Sequence, residues 1–415
     1  MRGSPPRLLA YSHDGYGLGH LRRNLRLAVG LRRQRPDVEV LLASGAKAAQ
    51  RLAAAHGIAC IQLPPVVKAG PGRYEPAEPG ATSIGAVVAL RSDILAQAVT
   101  DFAPDVLLAD RHPWGLHREL EAALDVHRTR RPRARAVLGL RDILDEPEVI
   151  RREWEEQELT AAIAKHYDAV LCYGDQAVYD QVAEYGHPAV VADRLRYVGY
   201  LTDDLLATGA ARIRAAHARG ARLAVCTLGG GQDAAGIASA FLAAMLHLRE
   251  QGWRGILITG PYMAGSDVKA LRGHEGAAEV EIIRMTTDLP SYLAAADAVC
   301  CMGGYNTTCE VLALAVPAVI VPRTTPRLEQ LMRAQRLADR GLLHWLHPDG
   351  LTPRVVAGAL ACVADTPHDD LLEKMAGLAR TGVRATALWL SELLSSPGSV
   401  PDTFPSAQEA TRAIR

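Results

Sequence analysis

The chain has 415 residues in which 46 lysines and arginines balance 46 aspartates and glutamates, so a generally basic surface is excluded and nucleic acid is not an expected partner. Hydrophobic residues at 49% and charged residues at 22% exclude the disordered and fibrous classes, and at roughly 150 residues per domain the length predicts two or three domains. Aromatics are only 5%, which favours helices packed on aliphatic strands and points to the α/β class.

In chain order, Arg7 to Ser12 is a short apolar strand ended by the glycine-rich turn His13-Asp14-Gly15-Tyr16-Gly17-Leu18-Gly19-His20, and a helical pattern follows to about Arg33. Strand Val38 to Ala43, helix Lys47 to His56 and strand Ile58 to Leu63 continue the alternation expected of a doubly wound parallel sheet. Val67 to Thr82, rich in Pro, Gly and charge, reads as a long surface loop near a site. Helix Ile84 to Phe102 leads to strand Asp105 to Ala109, which stops at Asp110-Arg111-His112-Pro113-Trp114-Gly115. The basic run Thr129 to Arg135 reads as a solvated loop ahead of strand Ala136 to Leu140, the alternative being a docking patch for an anionic lipid or partner. An acidic helix from Glu148 to Lys165 and a strand from Ala169 to Cys172 complete the first half.

The alternation restarts at strand Leu223 to Leu228. It runs through the turn Gly229 to Gly231, helix Ala234 to Gln251, strand Ala298 to Met302, the turn Gly303-Gly304-Tyr305-Asn306 and helix Thr307 to Ala315, ending in helices to about Ser395. The expected domains are 1–199, 200–395 and a tail, 396–415, that packs back on the first half. The seven cysteines form no CxxC or zinc-type spacing and read as reduced structural thiols. With no apolar leader at the N-terminus and no run of about 18 apolar residues, the expected location is the cytoplasm without a transmembrane segment, peripheral membrane contact being left open.

Open parallel sheets bind ligands beyond the carboxyl ends of their strands, so the residues that follow each strand carry the information. Gly15-x-Gly17-x-Gly19 is not a GxGxxG fingerprint and no acidic residue ends the next strand, which argues against a nicotinamide cofactor. His20, at a positive helix end, is the leading candidate for a general base. Asp110 is the second candidate; an N-cap, or a salt bridge to Arg111 or Arg141, is its plainer explanation. His13, Asp14 and His112, with the glycines Gly17 and Gly19, are expected to line the acceptor pocket. Gly229-Gly230-Gly231-Gln232-Asp233 opens a helix whose unpaired amides can hold a phosphate, yet it lacks the Lys-Ser/Thr of a P-loop. Gly303-Gly304-Tyr305-Asn306-Thr307 opens another. Glu310, expected on its first turn, can accept two hydrogen bonds from a ribose diol, against the plainer reading of a solvated, dipole-compensating carboxylate. No Asp-x-Asp occurs in the chain, so neither a metal nor any other cofactor is expected.

The run TTDLPSYLAAADAVCCMGGYNTTCEVLALAVPAVIVPR from Thr286, followed by LEQLMRAQRLADRG, resembles the donor-binding half of the MurG-like, family-28 glycosyltransferases. YSHDGYGLGHLRRN, from Tyr11 to Asn24, resembles that family's first glycine loop, and with DRHPWG and LGLRDILDEPE is similar to a bacterial subgroup of predicted glycosyltransferases. The resemblance implies a GT-B architecture, two Rossmann-like domains facing across a cleft, and transfer from a nucleoside-diphosphate sugar to an acceptor hydroxyl. It also implies that Met285 and Thr286 pack on the nucleobase, that the glycine turns and Glu310 hold diphosphate and ribose, and that Glu329 and Gln330 hold the hexose. Glu329 stands where relatives often have Gln, and Tyr16 and Leu18 are bulkier than the family's usual loop residues. A sugar-nucleotide 2-epimerase or hydrolase of the same fold, and a non-catalytic sugar-nucleotide sensor, are the competing readings.

Overall fold

The computed structural model describes residues 4–13, 18–70, 73–77, 83–203, 205–396 and 398–401. Contacts divide the chain into two units, Met1–Asp204 with Ala379–Arg415, and Leu205–Leu378.

In the first unit the strands are β1 (Arg7–Ser12), β2 (Glu39–Ser44), β3 (Ala59–Gln62), the hairpin β4 (Val66–Gly70) and β5 (Arg73–Pro76), then β6 (Val106–Asp110), β7 (Arg135–Arg141), β8 (Ala169–Tyr173) and β9 (Leu195–Tyr197). Among the described residues all but the hairpin form one parallel sheet in the order β3-β2-β1-β6-β7-β8-β9. β6, β7 and β8 are buried almost throughout, as strands covered by helices on both faces must be. Strand order reverses direction between β1 and β6, where Tyr11 pairs with Ala109; this switch point opens a crevice beyond the carboxyl ends of the two strands.

The second unit repeats the plan with β10 (Arg222–Thr227), β11 (Trp253–Ile258), β12 (Val280–Ile283), β13 (Ala298–Cys301), β14 (Ala318–Ile320) and β15 (His344–Trp345), parallel in the order β12-β11-β10-β13-β14-β15. Its switch point lies between β10 and β13, where Cys226 faces Cys300 and Thr227 faces Cys301. One face is packed by Phe241, Leu242 and Met245 with Leu360, the other by Leu293, Val311 and Ala334.

Three expectations change. The stretch read as a loop from Val67 contains the antiparallel hairpin β4–β5, because Val66 and Tyr74 join the small apolar cluster of Val87 and Leu116. The helix expected over Glu148 to Lys165 is two, Pro147–Glu156 and Leu159–His166, parted by Glu158 in a left-handed conformation. The returning segment begins before residue 396: helix Gly382–Ser395 belongs to the first unit and packs on helix Gly19–Gln34. Gly30 permits that approach, since a Cβ there would lie 2.6 Å from the Val383 side chain. Residues 402–415 of the tail lie outside the described residues.

Candidate functional site

In the first unit the site grows from β1 and β6. β6 delivers Asp110 to the carboxyl edge of the sheet, and helix Gly19–Gln34 starts beside it with His20 on its first turn and Arg23 one turn on. His20 Nδ1 stands 2.5 Å from Asp110 Oδ2, while Arg23 donates from Nε to Oδ1 at 3.0 Å and from Nη2 to both oxygens at 2.6 and 2.8 Å. Asp110 is 1% exposed. Burial alone would push its carboxyl up, but the Arg23 guanidinium and the His20 ring hold it down at about 2, so it is ionised at neutral pH. An ionised acceptor at 2.5 Å requires the proton on Nδ1. The Arg23 Nη2, 2.8 Å from the same ring nitrogen, is therefore directed at the carboxylate rather than at the ring. Fixing the proton on Nδ1 makes Nε2 the basic nitrogen of His20.

Of the other candidates from the sequence, His13 and His112 lie beside this pair. His13 ends the described part of the first loop, stacks on His112 with centroids 5.8 Å apart, and meets the His20 ring edge-on at 6.0 Å. Burial, aided by Arg111, lowers the His13 pKa well below the usual imidazole value, so its ring is neutral. His112 Nε2 pairs with Gln157 Oε1 at 2.8 Å. Gly19 is the first residue of the helix; Asp14 and Gly17 lie outside the described residues. The salt bridge expected between Asp110 and Arg111 or Arg141 is corrected to one with Arg23, because the residue three beyond His20 shares the helix face that abuts β6. Behind the dyad, the fully buried Arg91 is bidentate to Glu119 at 2.5 and 2.7 Å, and Tyr11 donates to Glu119 at 2.6 Å. The segment following Asp110 carries three non-glycine residues at positive φ, Arg111, His117 and Arg118, each costing on the order of 1 kcal/mol; clustered strain of this kind is typical of functional loops.

In the second unit both glycine turns flank the switch point. Gly229 and Gly231 adopt φ of +58° and +88°, and a Cβ on Gly231 would lie 2.1 Å from the Thr259 carbonyl oxygen. Gly229 and Gly236 meet nothing within 4 Å, so their surroundings are open to a ligand. Helix Ala235–Leu248 begins without a side-chain cap or an acidic residue in its first turn, and so does helix Tyr305–Leu314 after Gly303 and Gly304. Two uncapped, unneutralised helix starts side by side provide amide donors and positive dipole ends suited to a diphosphate.

Gln232 is exposed on the first turn; Asn306 and Thr307 are half-buried on the second. Glu310 lies on the second turn of its helix, not the first, and is 6% exposed, which removes the solvated, dipole-compensating explanation. Glu329 and Gln330 begin helix Glu329–Ala338 and are also buried. Met285 is exposed and Thr286 half-buried in the loop after β12, at the far side of β11 from the turns.

Two arginines that sequence reasoning passed over organise this cluster. Arg323 donates its amide to Gln330 Oε1 at 3.0 Å and its guanidinium to Glu329 at 3.1 Å, and lies 3.8 Å from Asp233 of the first turn. Arg333, fully buried, donates to the Gly303 carbonyl at 3.1 Å and lies 5.8 Å from the Tyr305 ring centroid. Arg323 was discernible only as the first charge after an apolar strand; Arg333 sits on an ordinary helical repeat and gave no signal.

Two parallel Rossmann-like units, each with its polar residues at a switch point, define the GT-B class of fold. Residues 224–386 match the glycosyltransferase family 28 C-terminal domain. The chain is 29% identical over 182 residues to the UDP-N-acetylglucosamine–N-acetylmuramyl-(pentapeptide) pyrophosphoryl-undecaprenol N-acetylglucosamine transferase of Rhodospirillum rubrum, covering 42% of this chain and 46% of that one. It spans 32% of the length of the corresponding Leuconostoc citreum transferase, to which it is 28% identical over 120 residues, 28% of this chain. Among solved structures, MurG of Acinetobacter baumannii superposes with a TM-score of 0.55 at 16% identity, over 94% of this chain and 99% of that one. A putative UDP-N-acetylglucosamine 2-epimerase from Listeria monocytogenes gives 0.60 at 12% identity, over 94% and 96%. These two likenesses establish the fold alone.

Proposed function

We propose that this protein is an inverting, metal-independent glycosyltransferase that moves a hexose-type sugar from a nucleoside-diphosphate sugar, a UDP-sugar by preference, to an acceptor hydroxyl. The observation that carries the reading is the His20–Asp110–Arg23 constellation: an imidazole held by a buried, ionised carboxylate with its proton fixed on Nδ1. A sensor of sugar nucleotides has no use for such a group. UDP is preferred because the curated relatives are UDP-N-acetylglucosamine transferases.

In this reading the second unit holds the donor. Amides of 229–232 and 303–305 and the Arg323 cation receive the diphosphate, Glu310 takes the ribose diol, Met285 and Thr286 the nucleobase, and Glu329 with Gln330 the hexose. The first unit holds the acceptor against His13 and His112, with Asp14, Gly17 and Gly19 in the same loop. His20 Nε2 accepts the acceptor's hydroxyl proton as its oxygen bonds to the anomeric carbon, and the bond from that carbon to the diphosphate oxygen breaks with its electron pair on the departing diphosphate. Asp110 stabilises the imidazolium that forms, and the preorganised amides stabilise the charge that grows on the leaving group. Attack opposite the leaving group inverts the anomeric centre.

The test is a thermal-shift panel of UDP-, dTDP- and GDP-sugars, followed by turnover of the stabilising sugar nucleotide with and without candidate acceptors. Acceptor-dependent release of nucleoside diphosphate, insensitive to EDTA and giving an inverted product by NMR, is expected. Equally fast conversion without acceptor would transfer the assignment to an epimerase or hydrolase.

A further inference from the structure

At the opposite end of the first unit's sheet from His20 and Asp110, the basic run ahead of β7 closes over a cavity of about 400 Å³. Arg130, Arg131, Arg133 and Arg135 line it together with Asp105, and Leu393 and Leu394 of the C-terminal helix supply an apolar wall. The arginines divide into two kinds. Arg131 bonds to the Ala103 carbonyl and donates to Asp105 Oδ1 at 2.7 Å, and Arg135 bonds to the Gly398 carbonyl and stands 3.9 Å from Asp168. These two build the frame. Arg130 and Arg133 are exposed and make no hydrogen bond or ion pair among the described residues.

The carboxylates in reach do not answer the remaining charge. Asp105 already accepts from Arg131 and from the Arg7 amide, and Asp168 accepts from Arg128 and the Ala136 amide. The C-terminus of helix Glu121–Arg130 carries a partial negative charge, but His127 and Arg128 stand in the same last turn and Arg133 lies beyond it. With Asp105 and Asp168 taken up by the frame, the guanidinium groups of Arg130 and Arg133 remain unanswered at the cavity, which exceeds what a solvated loop requires. Guanidinium forks match phosphoryl oxygens bidentately, and the leucine wall suits an apolar body attached to the phosphoryl group.

We propose that this cavity is a second binding site, for a phosphoryl-bearing anion with an apolar portion, separate from the sugar-nucleotide site. Ligand there would be held by Arg130 and Arg133 within the frame of Arg131 and Arg135, against the C-terminal helix.

The test is calorimetric titration of the full chain with inorganic pyrophosphate, and sedimentation with vesicles of 30% phosphatidylglycerol in phosphatidylcholine. The R130A/R133A protein, whose altered side chains are exposed and keep the frame intact, is expected to bind pyrophosphate with one site fewer per chain or at least tenfold more weakly. R323A, altered in the second unit, is expected to retain the site. Vesicle binding that R130A/R133A loses assigns the phosphoryl group to a lipid headgroup; pyrophosphate binding without vesicle binding assigns it to a free ligand. Titration and sedimentation curves of R130A/R133A that overlay those of the wild type, or no binding by either protein, overturn the proposal.

Discussion

At the scale of single residues the site depends on one proton. Asp110 keeps it on Nδ1 of His20, and Arg23 keeps Asp110 ionised. His20→Ala is expected to lower kcat by about 10²–10⁴-fold with donor binding unchanged, read by steady-state assay and titration of nucleoside diphosphate. Asp110→Asn is expected to lower kcat by about 10²-fold or more, and the double variant to be scarcely slower than His20→Ala, because groups that act as a unit are not additive. A double variant as slow as the product of the two single effects would separate Asp110 from the imidazole. The carboxylate also carries stability: its pKa lies below the ordinary 3.8, so its contribution of about 2 kcal/mol is complete above pH 3.8 and is lost as pH falls towards 2. Both residues were legible in the sequence, since each follows an apolar strand. Their partnership was not. It depends on β1 lying beside β6, a pairing that no spacing between positions 20 and 110 encodes.

At the scale of elements, the glycines of the second unit divide by what surrounds them. Gly231 combines φ of +88° with a neighbouring carbonyl, so Gly231→Ala is expected to destabilise the protein by about 2 kcal/mol or more, visible as a lowered Tm. Gly304 has φ of −60° and nothing within 4 Å of a built Cβ, so Gly304→Ala is expected to leave Tm unchanged while raising KM for the sugar nucleotide about tenfold or more. A lowered Tm with unchanged KM would make Gly304 a structural glycine and remove that turn from the donor site. Both turns were visible as Gly-rich interruptions of apolar runs, whereas the role of Gly231 became clear only with the turn after β11 packed against it. Glu310 shows the same limit. Its position in the sequence suggested the first helical turn, but the helix begins at Tyr305 and carries the carboxylate into the interior.

At the scale of the whole molecule, buried imidazoles set the response to acid. Burial lowers His127 and His187 to about 4. Above pH 6.5 they are neutral folded or unfolded. Between 6.5 and 4 the unfolded chain binds protons that the native one refuses, so stability is expected to fall with pH by up to about 3 kcal/mol per histidine and to level off below 4. Denaturant titrations at several pH values check the slope, and His187→Phe, facing Trp154 with ring centroids 4.2 Å apart, is expected to flatten it. The α/β class and the restart of the alternation near residue 200 were legible, because the central strands β1, β6, β7, β8, β10 and β13 each contain an apolar run, whereas the short edge strands β9 and β15 carry little such signal. The assignment of helix Gly382–Ser395 to the first unit was not, since its apolar stripe would suit either.

That assignment means the chain leaves the first unit after Asp204 and re-enters it at Ala379, and the two crossing points are fastened together. Tyr200 donates its amide to Ala379, Thr202 bonds to the Arg380 carbonyl, and Asp203 accepts from the amides of Val383 and Arg384. The second unit is thus a cassette inserted into its host with entry and exit adjacent. Joining residue 203 to residue 379 through a few glycines should therefore yield an autonomous host that folds without its cassette, and, on the function proposed above, genes in which the cassette has been exchanged for a relative's should give chimaeras with a new nucleotide preference and an unaltered choice of acceptor.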